Sequence, residues 1–322
     1  MRLASSATLF ASLFALAACG GSPEASETAD TAMDSGSDAV VAETVDDSAA
    51  MSDEAEMVDP AAETGTLAWA AAGEWRDEDD AARDVWRHPV ETLEFFEVDP
   101  AGTIIEIWPG AGWYTEILAP WVAANGGQLI GATFPADSES ENRRNSRAAF
   151  EAHFSSDPVY GNVQVADFNA ETGDIVAPGT ADTVLSFRNI HNWMGGGFAE
   201  RAFADFFRAL KPGGTLGIVE HRLPDTREQD PRAGTGYVQE AYVIALAEEA
   251  GFELVASSEV NANPADTADH PNGVWTLPPS ANTGEDVDRS VFDAIGESDR
   301  MTLLFRKPLS TPNTETDAPV ED

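Results

Sequence analysis

The chain has a single cysteine, Cys19, among its 322 residues. An intrachain disulfide is therefore impossible, and so is a zinc site built from several thiolates. Basic residues are also scarce: 18 Lys and Arg stand against 57 Asp and Glu, which gives a net charge of −39. Such a surface repels phosphate backbones and argues against nucleic acid as a partner. The sequence contains no G-x-S-x-G nucleophile elbow, which disfavours a serine hydrolase, and no internal repeat.

The first residues have the pattern of a secretory signal. Arg2 precedes an apolar run that is too short to span a bilayer, and small residues follow it. The order Leu-Ala-Ala-Cys at 16–19 resembles a bacterial lipobox, in which cleavage leaves Cys19 as the lipidated first residue. The alternative is an ordinary signal peptide that is cut nearby. Gly20, rather than an aspartate, follows Cys19, which favours an anchor in the outer membrane, facing the periplasm of a two-membrane cell. We therefore expect residues 1–19 to be a lipoprotein signal peptide and the protein to be exported and lipid-anchored in the cell envelope.

The next segment, residues 20–65, is expected to be a disordered acidic linker. Between residues 21 and 65 there are thirteen Asp and Glu and no Lys or Arg. This composition buries too little apolar surface to offset its ordering entropy, and self-repulsion extends it. The segment thus predicts a tether between the lipid anchor and a folded domain, and residues 309–322 predict a similar disordered tail.

Residues 67–308 alternate between short apolar runs and amphipathic segments. This alternation predicts an α/β fold, a doubly wound and mostly parallel sheet with helices on both faces. Helical spacing is found at 198–210 and 237–250. The last strand follows a stretch rich in Pro, Gly and Asn (261–284) with little room for a crossover helix, so we expect it to be antiparallel. The expected strands lie at 103–108, 127–134, 162–168, 182–187, 214–221, 252–260 and 300–307.

Two further expectations concern the helices before and after the first strand. Residues 66–97 predict a helical N-terminal extension that covers the sheet as a lid. Pro120 is expected to kink or end the helix that follows the first glycine loop, because proline lacks the amide hydrogen that a helix interior needs.

Ligands in a doubly wound sheet bind beyond the carboxyl ends of the strands. Glu106 ends the first expected strand, and Gly110 and Gly112 follow it. The glycines allow backbone to approach a ligand closely, and Glu106 can accept hydrogen bonds from hydroxyls or an amine. The alternative is a glycine turn that only joins strand to helix. Asp167, which ends the third strand, can accept from an exocyclic amine or can equally cap a helix.

Polar side chains also gather after the fourth and fifth strands. His191 is the first candidate for a catalytic base or for positioning the acceptor, since histidine titrates near neutral pH, and Arg188 lies in the same loop. His221 is the second candidate, with Glu220 beside it and Arg222 available for an anionic group. For each histidine the alternative is a structural role within its own loop.

The stretch 261–279 is long and rich in proline, aspartate and tryptophan, and we expect it to close over the strand ends as a lid with substrate contacts. Asp269 and His270 within it could also bind a metal together with His191 or His221. The alternative is a structural loop pinned by its prolines.

Taken together, the E-x-x-P-G-x-G loop at 106–112, Asp167, the Lys-Pro-Gly-Gly turn at 211–214 and the Ala-Gly-Phe at 250–252 resemble class I S-adenosylmethionine-dependent methyltransferases. The resemblance covers residues 98–307 and implies a methyltransferase-like domain at 98–308, a Rossmann-like sheet of seven strands with the last one antiparallel. It also implies S-adenosylmethionine as cofactor, with Glu106 at its methionine end and Asp167 with Phe168 at its adenine. The residues implied to contact the cofactor are Glu106, Pro109, Gly110, Gly112, Asp167 and Phe168.

Four segments are similar, more narrowly, to a bacterial group of exported methyltransferases: GWYTEILAP (112–120), FRNIHNW (187–193), VEHR (219–222) and DHPNGVWTLPP (269–279). Two positions depart from the superfamily pattern. Trp108 stands where a first glycine is usual, and Thr133 with Phe134 stand where strand two usually ends in an acid. We expect a lipid-anchored methyltransferase acting on a small molecule or an envelope component. The alternative is a non-catalytic binding module of the same fold.

Overall fold

The computed structural model describes residues 63–284 and 287–309. The expected signal peptide, the lipidation site Cys19, nearly all of the acidic linker and the tail from residue 310 lie outside the described residues. No helix in the described ranges is both long enough and apolar enough to cross a membrane.

Seven strands form one sheet in the order β3-β2-β1-β4-β5-β7-β6. Neighbouring strands from β3 to β5 are parallel, whereas β7 runs antiparallel to both β5 and β6. The expected doubly wound fold and its antiparallel last strand are confirmed. The strands are β1 Thr103–Ile107, β2 Gln128–Thr133, β3 Gln164–Asp167, β4 Ala181–Phe187, β5 Leu210–His221, β6 Glu253–Ser258 and β7 Arg300–Arg306.

Ten α-helices surround the sheet in the described ranges. They are α1 Leu67–Ala71, α2 Glu78–Ala81, α3 Asp84–Arg87, α4 Pro89–Phe95, α5 Thr115–Asn125, α6 Glu141–Phe154, α7 Ile190–Gly196, α8 Ala199–Ala209, α9 Glu240–Glu249 and α10 Ser290–Asp293. The expected helices at 198–210 and 237–250 correspond to α8 and α9. The N-terminal extension is helical in the form of four short helices, α1 to α4.

The apolar core lies on both faces of the sheet, because successive strand residues point to opposite sides. Ile105 and Ile107 of β1 belong to one buried cluster, which contains the apolar sides of α7, α8 and α9. Ile104 belongs to a second cluster, which contains α1, α4, α5 and α6. The five inner strands are thus largely buried on both faces, as the continuous apolar runs predicted, whereas the edge strands β3 and β6 are partly or mostly exposed.

Pro120 was expected to kink or end its helix, and the helix does not end there, because α5 runs from Thr115 to Asn125. A proline leaves the carbonyl four residues earlier without its helical donor. That carbonyl belongs to Glu116, and the indole Nε1 of Trp75 donates to it at 2.9 Å. The N-terminal extension therefore supplies the hydrogen bond that the proline removes.

Candidate functional site

β1 and β4 are neighbours in the sheet, but the strands that follow them lie in opposite directions: β2 lies on the far side of β1, and β5 lies on the far side of β4. The carboxyl ends of β1 and β4 thus form the topological switch point, the place where ligands bind in open α/β sheets. Three adjoining cavities line this edge. We refer to them as the aromatic, glutamate and histidine cavities, with volumes of about 360, 300 and 290 Å³.

The aromatic cavity is lined by Trp108, Gly110, Thr133, Phe134, Arg143, Ser146, Asn189, Asn192, Gly196 and Phe198. Trp108 forms its inner wall. The indole packs within 4.7 to 6.1 Å, centroid to centroid, of four other aromatic rings, and Nε1 donates to the backbone oxygen of Phe168 at 2.9 Å. The side chain is therefore fixed in the packing and separates this cavity from the next.

The glutamate cavity adjoins it through Trp108, Gly110 and Asn189, and contains Glu106 and Pro109. Glu106 is 2% exposed, and its Oε2 accepts from the Thr115 hydroxyl at 2.6 Å. Burial raises the pKa of Glu106 to about 7, and the Thr115 hydrogen bond and the charge of Arg188 only partly oppose this. A carboxyl group poised between its two protonation states at neutral pH thus faces the cavity.

The two glycines of the first loop differ in role. Gly110 has a φ of 65°, borders both cavities, and a Cβ added there would meet nothing within 4 Å. Gly112 has a φ of 101°, and a Cβ added there would lie 2.3 Å from the ring of Phe154. Gly110 therefore leaves room for a ligand, whereas Gly112 is required by the packing of α6 against the loop.

The expected adenine contacts lie away from these cavities. The Asp167 side chain is 51% exposed and forms an ion pair with Arg147 at 2.6 Å. Phe168 is fully buried behind Trp108 in the core. In this arrangement neither side chain lines the aromatic cavity, whose aromatic surface is instead Trp108, Phe134 and Phe198.

The histidine cavity lies on the other side of Arg188 and is lined by Arg83, Arg87, Arg188, His191, Asn192, His221, Val274, Trp275, Pro278, Pro279, Ser280, Glu297, Ser298 and Arg300. His191 is 7% exposed, and its Nδ1 lies 3.0 Å from Glu220 Oε1. The buried Glu220 carboxylate also accepts from the backbone amides of Ile190, His191 and His221. Because a carboxylate can only accept, the bond places a hydrogen on Nδ1 and leaves Nε2 as the acceptor. Within the described chain, Nε2 makes no hydrogen bond.

His221 stands beside His191, with 5.4 Å between ring centroids, and its Nδ1 lies 2.5 Å from Ser298 Oγ. Burial lowers the pKa of His221 well below its usual range, and the neighbouring His191, Arg300 and Arg188 lower it further. The His221 imidazole is therefore neutral at pH 7, when it can donate through one ring nitrogen and accept through the other.

Arg188 links the glutamate and histidine cavities, since it lines both. Its backbone is left-handed, with a φ of 61°, as is that of Trp108 at 46°. Burial, followed by the charge of Arg300, lowers the pKa of Arg188 to about 10, which still leaves the side chain charged at neutral pH. Left-handed non-glycine residues are uncommon and concentrate at functional sites.

The stretch 261–279 does contribute to this edge, because Val274, Trp275, Pro278 and Pro279 line the histidine cavity. Asp269 and His270 do not join His191 or His221. His270 Nε2 instead lies 2.7 Å from Asp266, and Asp269 bonds Thr267 on the surface. The one group of side chains in the described ranges with metal-ligand spacing is His191, Glu220 and His221.

The structure thus brings together His191, His221 and Arg188 in one cavity, and Glu106, Pro109 and Gly110 in the next. It places Gly112, Asp167 and Phe168 outside both. Arg222 also lies elsewhere, in ion pairs with Glu259 and Asp299.

The sequence reasoning missed Arg83, Arg87, Glu297 and Arg300, which line the histidine cavity. The signal available for the first two was their spacing of four residues in a chain with few basic residues. Glu297 and Arg300 pair with each other, but their further partners, Arg83, Arg87 and the Trp86 carbonyl, are more than 200 residues away in the sequence, so neither residue indicated this cavity.

No protein-family model and no curated protein sequence matches the chain significantly. Solved structures do match. The [4+2]-cyclase SpnF aligns at a TM-score of 0.50 and 16% identity, over 70% of this chain and 81% of that one. A SAM-dependent methyltransferase from Aquifex aeolicus aligns at 0.45 and 20%, over 57% and 89%. Phosphoethanolamine N-methyltransferase 2 from Haemonchus contortus, in complex with S-adenosyl-L-methionine, aligns at 0.44 and 17%, over 69% and 53%.

At these identities the likeness establishes the fold and no more. The structural neighbours include S-adenosylmethionine-dependent methyltransferases, and the strand order with its antiparallel last strand is the one that the resemblance implied. The chain therefore has a Rossmann-like fold, a doubly wound sheet of seven strands with an antiparallel last strand.

Proposed function

We propose that the protein transfers a methyl group from S-adenosylmethionine to an acceptor that binds beside His191. The observation that carries this proposal is the run of three adjoining cavities at the switch point, with an open glycine between the first two and a carboxylate-bound histidine in the third. When bound, S-adenosylmethionine supplies a reactive methyl group, so the protein needs chiefly to align the acceptor and to remove its proton.

The residues at this edge fit such a cofactor in most respects. The aromatic cavity offers Trp108 and Phe134 as flat surfaces for adenine and the Thr133 hydroxyl for the ribose. The glutamate cavity suits the methionine end of the cofactor. Glu106 would bind its ammonium group, and Arg83 or Arg87 would bind its carboxylate. Gly110 lines both cavities, and the open space beside it leaves room for a ligand that reaches from one to the other.

His191 is the proposed base. Its Nε2 can take a proton from the acceptor, while Glu220 holds the ring through Nδ1 and stabilises the charge that the imidazole gains. Glu220 acts as a positioning residue, and its three backbone hydrogen bonds fix it in place. His221 and Trp275 pack against the His191 ring and limit its rotation.

Calorimetry with S-adenosylmethionine and S-adenosylhomocysteine tests the cofactor directly. We expect micromolar binding to the wild-type protein. His191→Ala should leave that affinity intact and lower the transfer of tritiated methyl groups to envelope extracts by about 100-fold or more. His153→Ala, a change on the outer side of α6, serves as the matched control. An unchanged rate for His191→Ala would remove the base assignment.

The alternative function, a non-catalytic binding module, is favoured by two particular features. Thr133 stands where an acid would hold ribose hydroxyls, and Asp167 is bound by Arg147 on the surface. Millimolar or absent binding of both S-adenosyl compounds to a folded protein would support this module and overturn methyl transfer.

We also propose that the protein is exported and anchored by a lipid at Cys19. The support is the lipobox-like Leu-Ala-Ala-Cys at 16–19 and the acidic stretch after it. Cys19→Ser should move the protein from the membrane pellet to the soluble fraction and abolish labelling by radioactive fatty acid. Continued pelleting of the unlabelled variant would contradict the proposal.

A further inference from the structure

The histidine cavity is strongly cationic within a strongly acidic protein. Four of the chain's 18 basic side chains line it, namely Arg83, Arg87, Arg188 and Arg300. The one carboxylate among the residues that line it is Glu297, which is 2% exposed. Because the chain carries a net charge of −39, this local reversal of sign calls for an explanation.

Glu297 cannot neutralise all of these guanidinium groups. It lies 2.9 Å from Arg83 and 2.9 Å from Arg87, and it also pairs with Arg300. Arg83 has a second acidic partner, Asp80, at 2.9 Å. Three guanidinium groups, those of Arg87, Arg188 and Arg300, therefore share one carboxylate, and about two of the four positive charges have no acid of their own within ion-pair distance.

Arg188 is the least satisfied of the four. Its side chain makes no hydrogen bond within residues 63–284 and 287–309, and its nearest carboxylate oxygen, on Glu297, is 3.9 Å away. It is nevertheless only 22% exposed, so water replaces these bonds only in part. A guanidinium fork in this state presents several donors to the cavity, in the geometry that suits carboxylate and phosphate oxygens.

A metal ion is a poorer occupant of the same cavity, although His191, Glu220 and His221 have metal-ligand spacing. Each Glu220 oxygen already accepts two hydrogen bonds, from Ile190 and His191 at one oxygen and from His191 and His221 at the other. The neighbouring guanidinium groups would also repel a cation, because too few acids lie within ion-pair distance to balance their charges.

We propose that the histidine cavity binds an anionic oxygen group, a carboxylate or a phosphate, and that this group belongs to the methyl acceptor. The second part rests on the proposed function, whereas the first stands on the charges alone. Arg188 and Arg300 would hold the anion, and the His191 Nε2 in the same cavity would face the group to be methylated.

The test measures binding of inorganic phosphate, acetate and succinate to the full chain by calorimetry, with ionic strength held constant by sodium chloride. Comparing the affinity for phosphate with the affinities for acetate and succinate shows which of the two kinds of anion the cavity prefers. We expect at least one to bind the wild-type protein, and Arg188→Met to weaken it by about 10- to 100-fold, the usual effect of one charge-assisted hydrogen-bond donor. Arg289→Met, the same change at an exposed ion pair where α10 begins, should bind as the wild type does.

Circular dichroism establishes whether Arg188→Met folds; if it does not, Arg188→Lys replaces it, with a smaller loss because the charge remains and the fork is gone. The proposal is overturned if no anion binds the wild type, or if the folded variant binds it unchanged.

A second series repeats the titrations with saturating S-adenosylhomocysteine. Unchanged anion affinity supports a separate acceptor site, whereas competition would assign the arginines to the carboxylate of the cofactor and overturn that part of the proposal. Anion binding that depends on Arg188, in a protein that does not bind S-adenosylhomocysteine, would overturn the proposed function and leave the anion site standing.

Discussion

Replacing Glu106 by glutamine is expected to stabilise the protein above pH 7 and to weaken binding of the proposed cofactor. The Glu106 carboxyl is 2% exposed, and burial raises its pKa from 4.5 to about 7. The folded chain thus binds this proton more tightly than the unfolded chain does. Stability from this group is fully present below pH 4.5 and is lost as the pH rises to about 7.

The size of this loss follows from the two pKa values. A tenfold change in proton affinity corresponds to about 1.4 kcal/mol, so the difference amounts to about 3 kcal/mol at most. Glu106→Gln cannot ionise, yet its amide oxygen can still accept from the Thr115 hydroxyl. Above pH 7 the variant should therefore be more stable than the wild type by up to about 3 kcal/mol, less any cost of a weakened hydrogen bond.

Urea unfolding of both proteins at intervals from pH 5 to 8.5 measures this effect. Wild-type stability should fall more steeply with pH than that of Glu106→Gln, and the contribution of the other acids cancels in the comparison. Glu141→Gln, on the exposed first turn of α6, controls for the loss of one negative charge. Parallel stability curves for Glu106→Gln and the wild type would refute the reasoning. The same variant should bind S-adenosylhomocysteine about tenfold more weakly, because a neutral amide attracts an ammonium group less than a carboxylate does.

Three further predictions concern the segments next to these cavities. Trp75→Phe should lower the free energy of unfolding, measured by urea titration, by about 1 to 3 kcal/mol, because it leaves the Glu116 carbonyl in α5 without a donor. Trp69→Phe is the control and should cost less, because the Trp69 indole donates no hydrogen bond within the described chain. Gly112→Ala should destabilise the fold by several kcal/mol more than Gly110→Ala does. Gly110→Ala should instead lower the affinity for S-adenosylhomocysteine in calorimetry. Equal losses of stability would contradict the different roles of the two glycines. Asp167→Asn should change cofactor affinity by less than about threefold, since its carboxylate faces the surface, and a larger loss in calorimetry would return it to the binding site.

The sheet could be predicted because its inner strands are buried on both faces and therefore appear as continuous apolar runs. The antiparallel last strand followed from the lack of a crossover helix before it. The continuation of α5 through Pro120 was not predicted, because the donor that replaces the missing hydrogen bond, Trp75, comes from another part of the chain. Propensity rules treat a helix in isolation, whereas tertiary contacts can replace a missing hydrogen bond.

The candidate site was predictable only where a motif is contiguous. Glu106 and Gly110 lie in one loop, and His191 was found from the polar side chains around it. The arginine residues that line the histidine cavity could not be predicted, because Arg83 and Glu297, which pair there, are 214 residues apart in the sequence. Charge pairs of this kind depend on how loops fold over the strand ends, which neither spacing nor periodicity records.

The backbone at the switch point supports a functional reading independently of any motif. Trp108 and Arg188 follow adjacent strands, and both are left-handed at a cost of about 1 kcal/mol or more each. Their amides still donate to the neighbouring strands at 2.7 Å, so the sheet does not require large side chains here and glycine would serve it with less strain. The side-chain amide of Asn189 donates to the backbone oxygens of Ile107 at 3.0 Å and Trp108 at 3.3 Å, and so links the two loops. The strain thus holds an indole and a guanidinium group at the walls between three cavities, where they can contact a ligand.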